Sequence, residues 1–408
     1  MSWSLRERSI SPGQAKKILT SILPENPDRP CEIVLWNGEK VRFGNGPSPL
    51  SIVIKKPKVF DELLVEPSLA FGEGYINGDL EIKGNLGDVM EWFYKNAAEE
   101  RLSPFQKARV CWIHLKKRAT IKQTKKDVQS HYDKGNEFYR LWLDKGMNYS
   151  CAFFRSEDED LEQAQLNKIH RSLKKLRLKP GQKLLDIGCG WGSLIMEAAK
   201  RYGVKAVGLT LSENQFELGN KRIKDAGLED QVKIRLQDYR EMDEAEFKSF
   251  DRIISIGMFE HVGKENIPVF FEKCSRLLKD RGIMLLHTIG RTKPKEMDVW
   301  IVKYIFPGTY LPALGELVET AEDNGFDFVD LENLRRHYDL TLGNWAKRFE
   351  EHVDTIRRLY DERFVRMWRF YLYGCQMAFR YNPLFVFQLL FTLGRRNDMP
   401  LVREELYV

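Results

Sequence analysis

The run Leu184-Leu185-Asp186-Ile187-Gly188-Cys189-Gly190-Trp191-Gly192 constrains this chain more than any other. It starts as a buried strand, reaches an acid, turns on alternating glycines and gives way to a helical pattern at Ser193. Glycine lets a backbone approach a ligand without a Cβ clash and takes positive φ freely, while the next helix offers unpaired N–H groups at its start. A flat, polar ligand is expected on the turn, with close packing of helix on strand as the other explanation.

The surrounding pattern gives the turn a context. From residue 183 onward, apolar runs at 183–187, 205–209, 232–236, 252–256 and 283–287 alternate with helical patterns from 193, over 213–226 and from 265. Such alternation predicts an α/β fold with a parallel sheet covered by helices on both faces, and a ligand at the carboxyl ends of its strands. Residues 1–100 mix short strand-like runs (31–36, 50–54) with helix-like pieces (61–66, 86–96) and read as a smaller N-terminal α+β domain. A basic linker, 101–126, leads to a catalytic domain over 127–408. After His287 the pattern becomes mainly helical. Its apolar run 381–393 is too short to cross a membrane and reads as a core helix, or else as a wall for an alkyl chain or a lipid-facing surface.

Charge is unevenly placed in a chain whose net charge is only +6. Residues 101–126 carry Arg101, Lys107, Arg109, Lys116, Lys117, Arg118, Lys122, Lys125 and Lys126 with no acid, and a second basic stretch spans 168–183. Phosphate backbones and anionic lipid headgroups would both suit such surfaces; so would plain solvation. No base-reading motif accompanies them, so nucleic acid is not expected as a partner. The start of the chain lacks a secretory pattern and no apolar stretch reaches spanning length, which predicts a cytoplasmic protein. Six cysteines without a C-x-x-C pair or clustering with histidine read as reduced thiols, and no metal is expected.

The strand ends carry the candidate chemistry. Asp186 closes the first strand, where it orients the glycine turn or a ligand amino group, or simply caps backbone. The dinucleotide fingerprint would place a glycine where Ser193 stands and an acid where Thr210 stands. Those departures favour S-adenosylmethionine, held by neutral groups such as Thr210 and Gln215. Asp238 and Tyr239, after the third strand, suit an adenine amino group and ring face. Glu260 and His261 follow the fourth strand, and a carboxylate beside an imidazole can move or hold protons. His287 ends the fifth strand; a satisfied core histidine is the competing reading. Tyr149-Ser150-Cys151 and His131-Tyr132-Asp133 precede the sheet, in a segment able to fold over the pocket. Nothing in the sequence activates Cys151 as a thiolate, so it reads as a lining residue.

Together these residues resemble the cyclopropane fatty acid synthase family. The resemblance rests on HYDKGNEFYRLWLD (131–144), MNYSCAFF (147–154), LLDIGCGWGS (184–193), VGLTLSENQ (207–215), LQDYRE (236–241), SIGMFEHVG (255–263), LLHTIG (285–290) and HYDLTLGNW (337–345). The segment 71–79 also resembles the N-terminal domain of the bacterial members. The resemblance implies a Rossmann-like class I S-adenosylmethionine-dependent methyltransferase domain that adds a methylene across the cis double bond of an acyl chain in a membrane phospholipid. It implies bicarbonate as general base, held by Cys151, Glu260, His287, the Ile289 backbone and Tyr338. It implies cofactor contacts at Tyr149, Ser150, Gly188, Gly190, Thr210, Leu211, Gln215, Asp238 and Tyr239, with Asp186 at the same pocket. A homodimer, associated peripherally with the inner face of the cell membrane, is implied as well.

Three alternatives stay open on the sequence. A fatty-acid C-methyltransferase would keep fold and cofactor but end in a methylene or methyl branch. A nucleic-acid methyltransferase would use the basic stretches, although MFEH stands where an N-P-P-Y motif belongs. An inactive lipid or cofactor binding module would not need Glu260, His287 and Tyr338.

Overall fold

A computed structural model describes residues 10–96 and 135–407, so the basic linker 101–126 and His131, Tyr132 and Asp133 lie outside the described residues. The chain divides into two compact units. The smaller holds the N-terminal residues, and two later segments, Asp298–Ile305 and Val353–Tyr381, cluster with them. Its sheet has the order β2-β1-β3-β4, from β1 (Cys31–Val34), β2 (Lys40–Phe43), β3 (Leu50–Ile54) and β4 (Leu80–Lys83). β1 runs parallel to β3 and antiparallel to β2.

The two later segments join this unit for a visible reason. Helix Glu362–Tyr381 buries Val365, Trp368, Phe370, Tyr371, Leu372, Met377 and Phe379. The Phe370 ring meets Trp300 at 4.6 Å and Phe71 at 5.9 Å. Gly72 makes this packing possible, since a Cβ there would sit 2.4 Å from the Trp300 ring. The catalytic region expected over 127–408 therefore lends two pieces to the N-terminal unit, which linear pattern reading assigns by position alone.

The larger unit is built on a seven-stranded sheet ordered β10-β11-β9-β8-β5-β6-β7. Its strands are β5 (Lys183–Ile187), β6 (Lys205–Thr210), β7 (Val232–Leu236), β8 (Phe250–Ile256), β9 (Leu278–Gly290), β10 (Phe326–Asn333) and β11 (Phe385–Leu393). β5 to β9 run parallel. One core, with Leu185, Ile187, Ile253 and Phe270, fills one face of the sheet; another, with Leu184, Ile195, Ile254 and Leu285, fills the other. This is the class I methyltransferase arrangement, α/β with a smaller N-terminal α+β unit. The strand order reverses between β5 and β8, so the end of β5 is where a ligand crevice belongs.

One element departs from the sequence expectation. The run read as a core helix is strand β11, slotted antiparallel between β9 and β10. Every residue from Val386 to Thr392 is buried, with Phe387, Leu389 and Phe391 in one core and Leu390 in the other. A strand buried on both faces loses the polar alternation that would mark it. No described helix is long and apolar enough to cross a membrane.

Candidate functional site

The glycine turn works as a floor. Gly188 has φ +88°, and a Cβ added there would meet Met258 Cβ at 2.5 Å. Gly190, at φ +55°, faces open space. The amides of Gly188 and Cys189 both donate to the Leu209 carbonyl, at 3.0 and 2.9 Å, and so tie the turn to the end of β6. Helix Ser193–Tyr202 starts directly behind it.

A cleft enclosing about 1110 Å³ of atom-free space, partly open to solvent, lies over this floor. Tyr149, Ser150, Asp186, Gly188, Gly190, Thr210, Leu211, Gln215, Asp238 and Tyr239 all line it. Thr210 Oγ1 donates to Gln215 Oε1 at 2.7 Å, so both stand ready as neutral hydrogen-bonding groups. Asp238 is more committed than its sequence position suggested, because Arg240 holds both its oxygens, at 2.9 and 2.7 Å. The Tyr239 ring is edge-packed on Phe270, 5.4 Å between centroids.

Of the groups named for proton handling, His261 lines that cleft, while Glu260 and His287 lie buried outside its lining. Met258 and His261 line the cleft on either side of Phe259 and Glu260. Glu260 is buried and its Oε1 accepts from the Ile289 amide at 2.6 Å, while Oε2 has no hydrogen-bond partner. Ile289 pairs with Val386, whose carbonyl accepts from Leu334 N at 2.7 Å. The Leu334 carbonyl accepts in turn from Tyr338 N and from the Cys151 thiol. His287, two residues before Ile289 on β9, faces Gln388. A chain of mostly main-chain contacts through strands β9 and β11, Leu334 and the start of helix Arg335–Glu351 thus links Glu260, Ile289, Tyr338 and Cys151 into one set, with His287 two residues from Ile289 on β9. Trp345 links set and cleft, with its ring 5.2 Å from Tyr149 and 5.9 Å from Tyr338.

Burial tunes these groups. It pushes Glu260 up to about 7, against the opposing amide of Ile289, so this carboxyl stands balanced between acid and base near neutrality. It pulls His261 down to about 4 and His287 well below the usual imidazole range, with Lys168 and Lys175 adding to the effect on His287. Both rings are neutral at physiological pH. It also pushes the Cys151 thiol far up, so Cys151 is no thiolate nucleophile.

The sequence missed Lys168. It belonged to a basic stretch read as a surface, yet it is 2% exposed and lines the cleft, where Nζ donates to Ser150 Oγ at 2.7 Å. Burial pulls it down to about 8, partly countered by Asp144, Cys151 and Asp186. Burial pushes Asp186 up to about 7 despite Lys168. Lys175 is also buried, and Arg171 is spent on Glu332 at 2.6 Å, so the first half of the 168–183 stretch is internal wiring, whereas Lys179 and Lys183 are exposed. A signal was present: Gln165, Lys168, Ser172 and Lys175 recur at helical spacing, which draws a polar stripe along one buried face.

Residues 119–389 match the family described as mycolic acid cyclopropane synthetase. The chain belongs to that family. Residues 18–102 match a separate domain family of unknown function. The cyclopropane-fatty-acyl-phospholipid synthase of Escherichia coli strain K12 is 39% identical over 371 residues, 88% of this chain and 92% of the relative. A probable fatty acid methyltransferase of Pseudomonas putida is 35% identical over 93% of this chain and 96% of its own. The crystal structure of mycolic acid cyclopropane synthase CmaA1 complexed with SAH and CTAB superposes with a TM-score of 0.62 at 37% identity, covering 66% of this chain and 98% of that one. Family, fold and glycine-floored cleft agree: this family member is an S-adenosylmethionine-dependent methyltransferase.

Proposed function

We propose that this enzyme transfers a methylene group from S-adenosylmethionine to the cis double bond of unsaturated acyl chains in membrane phospholipids and closes a cyclopropane ring. The observation that carries the reading is Glu260 Oε2, buried and unpartnered in a set that also holds His287, Ile289, Tyr338 and Cys151, next to the cofactor cleft. An unpaired buried carboxylate oxygen is costly unless something completes it. The likeness to the Escherichia coli synthase along most of both chains supports the substrate class.

The residues fit a small oxyacid anion. Bicarbonate held by Glu260, His287, Tyr338, Cys151 and the Ile289 backbone would supply a compact base beside the acyl chain. The Ile289 amide already serves Glu260, so its share in holding an anion requires Glu260 Oε1 to share or release it. The chain's other tasks follow from the reaction. A C=C bond is a weak nucleophile, and holding it in line with a sulfonium methyl contributes about 7 to 11 kcal/mol. The aromatic rings of Tyr149, Trp345 and Tyr338 offer negative faces to a developing carbocation, and the dryness of the cluster protects it from water.

Membrane association, in this reading, rests on the acid-free stretch 101–126, each basic residue near an anionic surface contributing about 1 kcal/mol. We place the enzyme in the cytoplasm, peripherally on the inner face of the cell membrane, as a homodimer. Flotation with vesicles should weaken with salt and with loss of anionic lipid; flotation indifferent to both would contradict the placement.

The Pseudomonas putida relative favours a second reading, a fatty-acid C-methyltransferase that leaves a branch instead of a ring. One experiment separates them. Purified enzyme is given methyl-labelled S-adenosylmethionine and unsaturated phospholipid vesicles, with and without bicarbonate, and the labelled acyl product is hydrogenated. A product that resists hydrogenation and weighs two hydrogens less than the saturated methyl-branched chain, formed faster with bicarbonate, supports the ring; one that takes up hydrogen, or has the mass of the saturated branch, sinks it.

A further inference from the structure

The geometry points to Gln388 as the positioning residue that holds His287 in the tautomer protonated on Nε2. Gln388, on β11, stands directly opposite His287 on β9 in the antiparallel register. Its amide Nε2 lies 2.9 Å from Ser172 Oγ and 3.2 Å from His287 Nδ1, and its Oε1 lies 2.6 Å from Lys175 Nζ.

Two neighbours fix which way this amide faces. The Lys175 ammonium can only donate, so the atom beside it must be the amide oxygen. Ser172 donates its one hydroxyl proton to the Lys168 carbonyl at 2.7 Å, which leaves it only lone pairs for Gln388. Both constraints turn the NH₂ toward Ser172 and His287. Lys175 is itself held by Glu332 Oε2 at 2.7 Å, and Arg171 grips the same carboxylate through two of its nitrogens, Nε at 2.9 Å and Nη2 at 2.6 Å. Ser172, Lys175, Gln388 and His287 are each 2% exposed or less, so no solvent rearranges them.

His287 Nδ1 therefore accepts, and in a neutral ring the proton belongs to Nε2. The inference rests on the proposed reading of the Glu260–His287 set and deepens it. An Nε2–H donor favours an anion in that set, whereas the other tautomer would present a lone pair to it. Gln388 does not line the cofactor cleft and acts through His287.

The test uses the full chain with ¹⁵N-labelled histidine. The His287 resonances are assigned by their loss in His287→Asn and separated from the rest of the seven histidines. At neutral pH the ring should be neutral and protonated on Nε2. In Gln388→Glu the new carboxylate can only accept, so Nδ1 should become protonated. Turnover should fall about tenfold or more at an unchanged cofactor KM, the scale at which supporting partners of a site residue act. A wild-type ring protonated on Nδ1 overturns the inference, and so does a Gln388→Glu variant with the proton still on Nε2 alone. A moved proton with unchanged kcat overturns the part of His287 in turnover while the lock itself stands. The spectrum is informative on enzyme that turns over no lipid, so failure of the lipid reading and failure of the lock are told apart.

Discussion

The two halves of the larger sheet solve their binding problems with different materials. The parallel half, β5 to β8, floors its cleft with main chain, a glycine turn and a helix start tied to the strand ends, and lines it with residues next to those ends. The flank formed by β9 to β11 supplies buried partners from remote parts of the sequence, the Ile289 amide to Glu260 and Gln388 to His287. Backbone binds a ligand that must be shared with many chemistries; placed side chains decide which chemistry follows.

Glu260→Gln is the sharpest way to break that division of labour. Turnover should drop roughly 10²- to 10⁴-fold, the range of general acid–base groups, while cofactor affinity measured by calorimetry stays within about twofold. A parallel loss of affinity would mean that the two halves are one site.

Gly188→Ala probes the other half. The positive φ and the Met258 contact at 2.5 Å predict a stability loss of about 1–3 kcal/mol, read by denaturant melts, together with weakened cofactor binding. Lys168→Met should follow at smaller size. Charge-assisted hydrogen bonds contribute about 1.5–3 kcal/mol, so a loss near tenfold in cofactor affinity is expected, with little change in kcat at saturation. If kcat fell and affinity held, Lys168 would belong with the proton-handling cluster.

The smallest effect is a slope. Asp186 titrates near 7 in the folded protein, above its value of roughly 3.9 in an unfolded chain. Between those values the folded state carries the extra proton, so this residue lowers stability as pH rises from about 4 to about 7. Asp186→Asn should flatten that part of the stability profile, measured by thermal melts across pH. Glu260, raised to about 7, adds a second contribution of the same sign, which Glu260→Gln would remove.

What could be read in advance follows the same line between main chain and side chain. The β5 turn announces itself because only glycine tolerates Gly188's φ and its approach to Met258, and the strand-end residues follow from the alternation of apolar runs. All the residues expected around the cofactor do line the cleft. Glu260 and His287 were visible as strand-end groups, but Cys151, Ile289 and Tyr338 were named through family resemblance. The structure links the set through Leu334 and Val386, a chain of contacts that no local pattern encodes. β11 was hidden by its own burial. Lys168 was hidden by its charge, since a lysine in a basic stretch looks solvated until its spacing with Gln165, Ser172 and Lys175 is noticed.

The insertion of β11 also sets an order of assembly. Residues 385–393 are synthesised after every residue that lines the cleft, yet they lie against β9 and carry the partner of His287. Every part of the glycine-floored cleft is synthesised by residue 262. A chain cut near residue 380 would keep every residue that lines the cleft and lose at once the partner of His287 and a strand that fills both cores.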